Sequence, residues 1–173
     1  MRVLNERGVD VHLSLHGANL ELQPPEFQQE FADLLDAGKR TSSNVTMHGS
    51  YDHEDLPQLM AEVDWVMVPS RWWENSPLVI QEAFIHGKPV ICSDIGGMAE
   101  KVTDGVDGLH FRAGDRTSLA DVIERGVTTP GLWETLQAGV QPIYSMEDHV
   151  ASLTELYDEL QERRTQVARD LVK

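Results

Sequence analysis

Two glutamates, Glu74 and Glu82, stand at the ends of the segment ENSPLVIQE and enclose seven mostly apolar residues. A carboxylate accepts hydrogen bonds, and its two oxygens can receive both hydroxyls of a vicinal diol. Because a buried carboxylate without partners costs several kcal/mol, Glu82 within the apolar stretch VIQEAFI needs a partner. Two explanations are open. Either the two glutamates line a ligand site, or Glu82 pairs with Arg71 or Lys88 and Glu74 is a loop residue without a binding role.

The chain around these glutamates alternates between strand-like and helix-like segments. The pattern predicts strands over 9–15, 44–48, 65–69, 89–94 and 108–111, and helices over 24–39, 55–64, 77–86 and 98–103. Strands and helices that alternate with short turns predict right-handed crossovers and a parallel sheet with helices on both faces. We therefore expect a Rossmann-like α/β domain.

The remainder of the chain is predicted to be helical. Its three helices are marked by Leu119, Val122 and Ile123, by PGLWETLQAGV, and by a long segment from Ser145 with an apolar stripe of Val150, Leu153, Tyr157 and Leu160. So short a stripe packs on its own sheet or on a neighbouring domain more often than it forms a dimeric coiled coil. We expect one domain over residues 1–173, with an α/β core over about 1–128 and C-terminal helices over about 130–173.

The N-terminus through LNERG has the pattern of the last turn of a helix that leads into the first strand. In a parallel α/β fold, such a helix normally follows a strand of the same sheet. The sequence therefore favours an N-terminally truncated domain, without its first strand and most of its first helix.

Charge and composition exclude several classes of function. With 14 Lys and Arg against 29 Asp and Glu, the net charge of −15 disfavours nucleic acid and anionic membranes as partners. No apolar stretch reaches the roughly 18 residues of a transmembrane helix. The single cysteine, Cys92, excludes a disulfide framework and suits a cytoplasmic location, and we expect a buried strand thiol there rather than a nucleophile. The seven histidines lack metal-ligand spacing.

The loop SRWWENS follows a predicted strand, and ligands of open parallel sheets bind at the carboxyl ends of strands. We expect Ser76 to cap the next helix and Pro77 to be its first residue. Glu82 then leans back toward the loop that carries Glu74. Free amides at the start of this helix, from Leu78 to Ile80, favour an anion such as a phosphate.

The segment PSRWWENSPLVIQEAFIHGKPVICSDIGGMAEKVTDGVDGLHF resembles the signature of the group 1 glycosyltransferases, a retaining superfamily with the GT-B fold that includes glycogen synthases. The ordered features are a PS strand end, the two glutamates, HGKPV, a GG pair and DGxxG. The specific part covers about Gly49 to Phe111, and weaker agreement extends from Val9 to the C-terminal helix. The resemblance implies the C-terminal, donor-binding half of a GT-B enzyme.

In this family the second glutamate, here Glu82, receives the ribose hydroxyls, and the first, here Glu74, contacts the donor sugar. The resemblance assigns donor binding to Glu74, Asn75, Ser76, Leu78, Val79 and Glu82, with backbone amides near Leu78 and Val79 on the diphosphate. Many relatives have small or glycine-rich residues between the first glutamate and the helix. Because Pro77 cannot donate a hydrogen bond, the phosphate contacts must come from later amides.

Further candidate contacts to the base or the sugar are Gly17, Gly49, Ser50, Tyr51, Gly96 and Gly97. The glycines have a second explanation, in which Gly17 and Gly49 only end their strands and the pair Gly96 and Gly97 forms a tight turn. Trp72 and Trp73 could stack on an acceptor sugar, although two adjacent aromatics usually divide between core and interface.

The family transfers a sugar from a nucleotide diphosphate with retention, usually without a metal or other cofactor. Its cationic clamp on the diphosphate and its N-terminal acceptor domain have no counterpart here, and no catalytic residue is assigned in this chain. We therefore expect the isolated chain to bind donor weakly without turnover, and to self-associate through exposed apolar surface. The alternative is a non-catalytic nucleotide-sugar-binding or interaction module.

Overall fold

The structure, a computed structural model, describes residues 1–17, 20–41 and 44–171. The chain divides into two compact units, Met1–Gln141 and Pro142–Lys173. The first unit contains all the predicted site residues, and the second consists mainly of one long helix.

Strands and helices alternate through the first unit. The strands are β1 Leu13–His16, β2 Val45–Gly49, β3 Val66–Val68, β4 Val90–Ser93 and β5 Gly108–Phe111; the helices are α1 Arg2–Glu6, α2 Pro25–Thr41, α3 Leu56–Ala61, α4 Leu78–Ile85, α5 Gly96–Lys101, α6 Arg116–Thr128 and α7 Leu132–Gly139, followed by α8 Met146–Leu171 in the second unit. The predicted α/β architecture with parallel strands is confirmed.

The strands form two parallel sheets instead of one. β1 pairs with β2 in register Leu13 to Val45. The second sheet has the order β3–β4–β5, with Val66 opposite Val90 and Ile91 opposite Leu109. Among the described residues no strand ladder joins the two sheets, and β3, at three residues, is too short to extend far along any neighbour.

The central strand β4 is covered on both of its faces. Val90 and Cys92 pack with Ile80 and Ala83 of α4, whereas Ile91 packs with Leu136 of α7 on the opposite face. Fully burying a side chain of this kind stabilises the fold by about 1.5–3 kcal/mol relative to exposure. The continuous apolar run PVIC is therefore explained by helices on both sides.

Cys92 lies at the centre of the first of these clusters and is fully buried. Burial raises the pKa of its thiol to about 12, with a smaller contribution from nearby aspartates. Since the thiolate is the reactive form, this cysteine is inert. The expectation of a buried strand thiol is confirmed.

Several predicted boundaries shift by a few residues. The first strand begins at Leu13, not at Val9, and α5 begins at Gly96, not near Met98. The glycine pair Gly96 and Gly97 therefore opens a helix and does not form a free-standing turn. In the second unit the predicted apolar stripe falls within α8. In the described part of the chain, no helix combines the length and hydropathy that crossing a bilayer requires.

Candidate functional site

The loop after β3 is held by a network around Ser70. The Ser70 hydroxyl donates to Glu74 Oε1 at 3.1 Å and accepts from the Trp72 amide at 3.3 Å. The Glu74 amide donates to the Trp72 carbonyl at 2.9 Å. The half-buried carboxylate of Glu74 is thus fixed by its own loop, at the carboxyl end of β3, and keeps acceptor capacity for further donors.

The start of α5 packs directly on this loop through backbone atoms. The Gly97 amide donates to the Glu74 carbonyl at 2.6 Å. A Cβ on Gly97 would lie 2.5 Å from the Glu74 carbonyl oxygen and would collide with the Asn75 carbonyl as well. Gly96 adopts a φ of 55°, and a Cβ there would meet the Trp73 Cα at 3.0 Å. The glycine pair is therefore required for the close approach of α5 to the loop that carries Glu74.

Helix α4 begins one residue later than the sequence suggested. Leu78 is its first residue, and Pro77, with φ −61° and ψ 115°, occupies the capping position without a side-chain cap. The Ser76 hydroxyl does not cap the helix and accepts instead from Gln81 Nε2 at 3.0 Å. The expectation of Ser76 as cap and Pro77 as first helical residue is wrong, because the extended ψ of Pro77 keeps it outside the helix.

The amides at the start of α4 are only partly free. The Ile80 amide donates to the Pro77 carbonyl at 3.2 Å, so it is not one of the free amides that the sequence predicted at this helix start. The amides of Leu78 and Val79 have no acceptor within the described part of the chain. Their side chains differ: Leu78 is exposed and Val79 packs against the core cluster. Any anion at this helix end is therefore met by two backbone donors.

Glu82 is half-buried in α4, two residues after the fully buried Ile80 and next to the fully buried Ala83. Within the described residues its carboxylate makes no hydrogen bond or ion pair. Arg71 and Lys88 are both described, and neither pairs with it. The second explanation offered by the sequence, an ion pair of Glu82 with Arg71 or Lys88, is therefore wrong.

The carboxyl ends of β1 and β2 bring together a second set of predicted residues. The Gly17 amide donates to the Gly49 carbonyl at 2.6 Å, and both glycines have positive φ, 70° and 73°. A Cβ on Gly17 would lie 3.4 Å from the Tyr51 ring. Ser50 follows Gly49 and is exposed. Both glycines thus end their strands in turns that other residues adopt only with strain.

Sequence reasoning missed the two histidines of this cluster. The rings of His16 and His48 stack with centroids 4.3 Å apart and planes 3° apart, and Tyr51 meets His16 edge-on at 6.2 Å. Burial, with the nearby His48, lowers the pKa of His16 below its usual 6.5, against an opposing contribution from Glu62. The signal was present in the sequence, since the dipeptide His-Gly ends both strands.

The DGVDG loop after α5 is built from its own carboxylates. Asp107 Oδ1 accepts from the Thr103 amide at 2.7 Å, and Asp104 Oδ1 accepts from the His110 amide at 2.8 Å. Asp107 is 8% exposed, and this burial raises the pKa of its carboxyl. These contacts shape the turn into β5. No group of three or more His, Cys, Asp and Glu in the described ranges is arranged to hold a metal ion.

Comparison with known proteins gives one matching family and several related structures. Residues 1–128 match the model of the family described as Glycosyl transferases group 1. The glycogen synthase of Pseudomonas paraeruginosa is 29% identical over 133 residues, which are 73% of this chain and 26% of that protein. The chain thus spans about a quarter of the length of this curated relative.

Solved structures of known proteins share the fold. Sucrose-phosphate synthase from Thermosynechococcus elongatus superimposes with a TM-score of 0.72 and 27% identity, over 88% of this chain and 39% of that one. Anabaena Alr3699/HepE, solved in complex with UDP, superimposes with a TM-score of 0.66 and 24% identity, over 94% of this chain and 52% of that one. The α/β unit therefore corresponds to part of a GT-B fold.

Proposed function

Because the chain belongs to the group 1 glycosyl transferases, we propose that it is the donor-binding part of an enzyme that transfers a sugar from a nucleotide diphosphate to an acceptor with retention of configuration. The donor is the partner of this chain, and we expect no metal to be required for its binding. The buried, unpaired thiol of Cys92 suits a cytoplasmic location.

The unpartnered carboxylate of Glu82 is the single observation that carries this proposal. It is half-buried beside fully buried apolar residues, yet the described chain offers it no hydrogen bond or cation. Withdrawing a charged group from water without a partner is costly. A ribose supplies the missing partners, because its vicinal hydroxyls can donate to both carboxylate oxygens.

The neighbouring groups fit the rest of a nucleotide sugar. The amides of Leu78 and Val79 have no acceptor in the described chain and suit the diphosphate. Glu74, held by Ser70, receives hydroxyls of the donor sugar, while Asn75 and Ser76 border the site. Gly17, Gly49, Ser50 and Tyr51, at the carboxyl ends of β1 and β2, are proposed to contact the base.

In the transfer itself, the bond between the sugar anomeric carbon and the diphosphate oxygen breaks while the acceptor hydroxyl oxygen bonds to that carbon. The acceptor proton passes to the donor phosphate, and the two amides of α4 stabilise the charge that develops on the leaving diphosphate. This chain covers only 26% of its glycogen synthase relative. We propose that turnover needs an acceptor domain and further cations beyond these 173 residues, so the chain alone binds donor without transferring it.

Calorimetric titration with UDP, GDP and ADP tests the donor site. We expect one nucleotide to bind preferentially and Glu82→Gln to weaken it about tenfold or more, since a hydrogen bond to a charged group contributes about 1.5–3 kcal/mol. The matched control is Glu100→Gln, which alters an exposed glutamate of α5 and leaves affinity unchanged. Addition of EDTA is also expected to leave affinity unchanged.

The 2′-deoxy form of the preferred nucleotide identifies the contact. If Glu82 binds the ribose diol, the deoxy nucleotide binds the wild-type chain weakly but loses little more in Glu82→Gln, because both changes remove the same interaction. Independent, additive losses would contradict the ribose assignment. A non-catalytic nucleotide-sugar-binding protein is favoured instead if a longer form of the protein binds donor but Glu74→Gln and Glu82→Gln leave its sugar transfer intact.

A further inference from the structure

Two adjacent tryptophans in the loop between β3 and α4, Trp72 and Trp73, are both exposed. Trp72 is 73% and Trp73 is 70% exposed, in contrast to Trp65 and Trp133, which are partly buried. Adjacent aromatics usually divide between core and interface, and that expectation is wrong for this pair, because neither ring lies in the core. Two indole rings on the surface beside a candidate ligand site require an explanation.

The loop that presents these indoles is tightly held. Ser70 bonds to the Trp72 amide and to the Glu74 carboxylate, and the Glu74 amide bonds to the Trp72 carbonyl. Gly96 lies so close beneath the Trp73 backbone that a Cβ there would be 3.0 Å from its Cα. The indoles are therefore exposed on a fixed backbone, which reduces the entropy lost when a ligand stacks on them.

We infer that Trp72 and Trp73 form a stacking surface for a ring of a neutral saccharide, the acceptor of the reaction. The apolar C–H face of a pyranose is matched by an indole face. The same turn carries one carboxylate, Glu74, and one exposed guanidinium, Arg71, so it has no net charge and can both accept hydrogen bonds from and donate them to the hydroxyls of a neutral sugar. The role of this stacking surface as the acceptor site rests on the proposed function, whereas its affinity for a saccharide does not.

The size of the surface argues for a small ligand and against a second copy of the chain. Two indoles that are about 70% exposed offer on the order of 350 Å². A stable protein interface buries about 800 Å² on each partner. The exposed indoles therefore match a sugar ring or two better than a dimer interface.

Saturation-transfer NMR with maltotriose and cellotriose tests this inference on the intact chain, with Trp72→Ala and Trp73→Ala as variants. We expect saturation of the ring C–H protons of at least one trisaccharide, and a loss of affinity of about tenfold in each variant. Ile85→Ala is the matched control, because Ile85 is 66% exposed at the far end of α4. Melting temperatures close to wild type establish that the variants fold.

Nucleotide titrations of the same variants separate the two proposals. Lost saccharide binding with intact nucleotide binding supports the stacking surface. Absent saccharide binding in the wild type, or binding that both variants retain, overturns it and leaves the donor site standing. A wild-type dimer that the variants dissociate also overturns it. Saccharide binding without any nucleotide binding supports the stacking surface and removes the donor site.

Discussion

The two sheets of the first unit hold their candidate ligand groups in different ways. In the β3–β4–β5 sheet every residue of β4 is buried, and the loop with Glu74 is clamped by backbone contacts to Gly97. In the β1–β2 sheet all four residues of β1 are only partly buried, and its carboxyl end is held by stacked imidazoles and by the hydrogen bond from the Gly17 amide to the Gly49 carbonyl. One end is held by close packing against buried backbone, and the other by a ring contact and a backbone hydrogen bond among exposed or half-buried residues.

This difference separates positions that tolerate change from positions that do not. Packed backbone cannot move to admit a new atom, because interiors are close-packed and transmit strain. Half-buried side chains can relax into water at little cost. We therefore expect substitutions around β4 to cost more free energy of unfolding than equivalent substitutions around β1, and the following experiments test that ranking.

The largest expected effect comes from truncating the centre of the buried sheet. Ile91→Ala removes a side chain that is 1% exposed and packs with Leu109 and Leu136, and it should cost about 3 kcal/mol or more. Leu15→Ala in β1, a half-buried position, should cost about 1 kcal/mol. Urea unfolding followed by circular dichroism measures both. Equal losses would show that the two sheets are equally well packed.

A comparison of two glycines tests the backbone contact at the site. Gly97→Ala places a Cβ 2.5 Å from the Glu74 carbonyl oxygen, and we expect a loss of about 2–3 kcal/mol together with lost nucleotide binding. Gly49→Ala has nothing within 4 Å of the new Cβ and suffers only its φ of 73°, at about 1 kcal/mol. Thermal unfolding and calorimetry provide the two readouts.

One outcome for Gly97→Ala would contradict the positioning of the Glu74 loop by α5. If this variant unfolds like wild type and still binds nucleotide, the loop with Glu74 must shift freely, and the contact with α5 does not position it. Loss of binding in Gly49→Ala alone would transfer the dominant role to the β1–β2 end.

The sequence predicted the elements well where local patterns decide them. Alternating apolar strands and striped helices predicted the α/β architecture, and the apolar run around Cys92 predicted a strand with a buried thiol, as β4 has. The division into two sheets was not predictable, because strand pairing depends on packing between distant segments. The start of α4 shifted by one residue because the ψ of Pro77 is set by its loop and not by its residue type.

At the site, too, the sequence predicted what local spacing decides and not what contacts between distant segments decide. The spacing predicted Glu74 in the loop after a strand and Glu82 in the first turns of the next helix. It left open whether a cation neutralises Glu82. Only the structure shows that Arg71 and Lys88 do not pair with it. The role of Gly97 also depends on its contact with Glu74 and Asn75, 23 and 22 residues earlier in the chain, and no local pattern predicts that contact.

The smallest expected effect is a pH dependence at the β1–β2 end. Because burial and His48 lower the pKa of His16 below 6.5, the unfolded chain binds a proton more readily than the folded chain does. The stability from neutral His16 is therefore present above pH 6.5 and is lost as the pH falls through its lower folded pKa. His16→Gln should flatten this part of the stability profile between about pH 5 and 7.5, measured by urea unfolding. His48→Gln should weaken the slope without removing it, since burial is the larger cause and persists, and an unchanged slope in His16→Gln would assign the pH dependence to other groups.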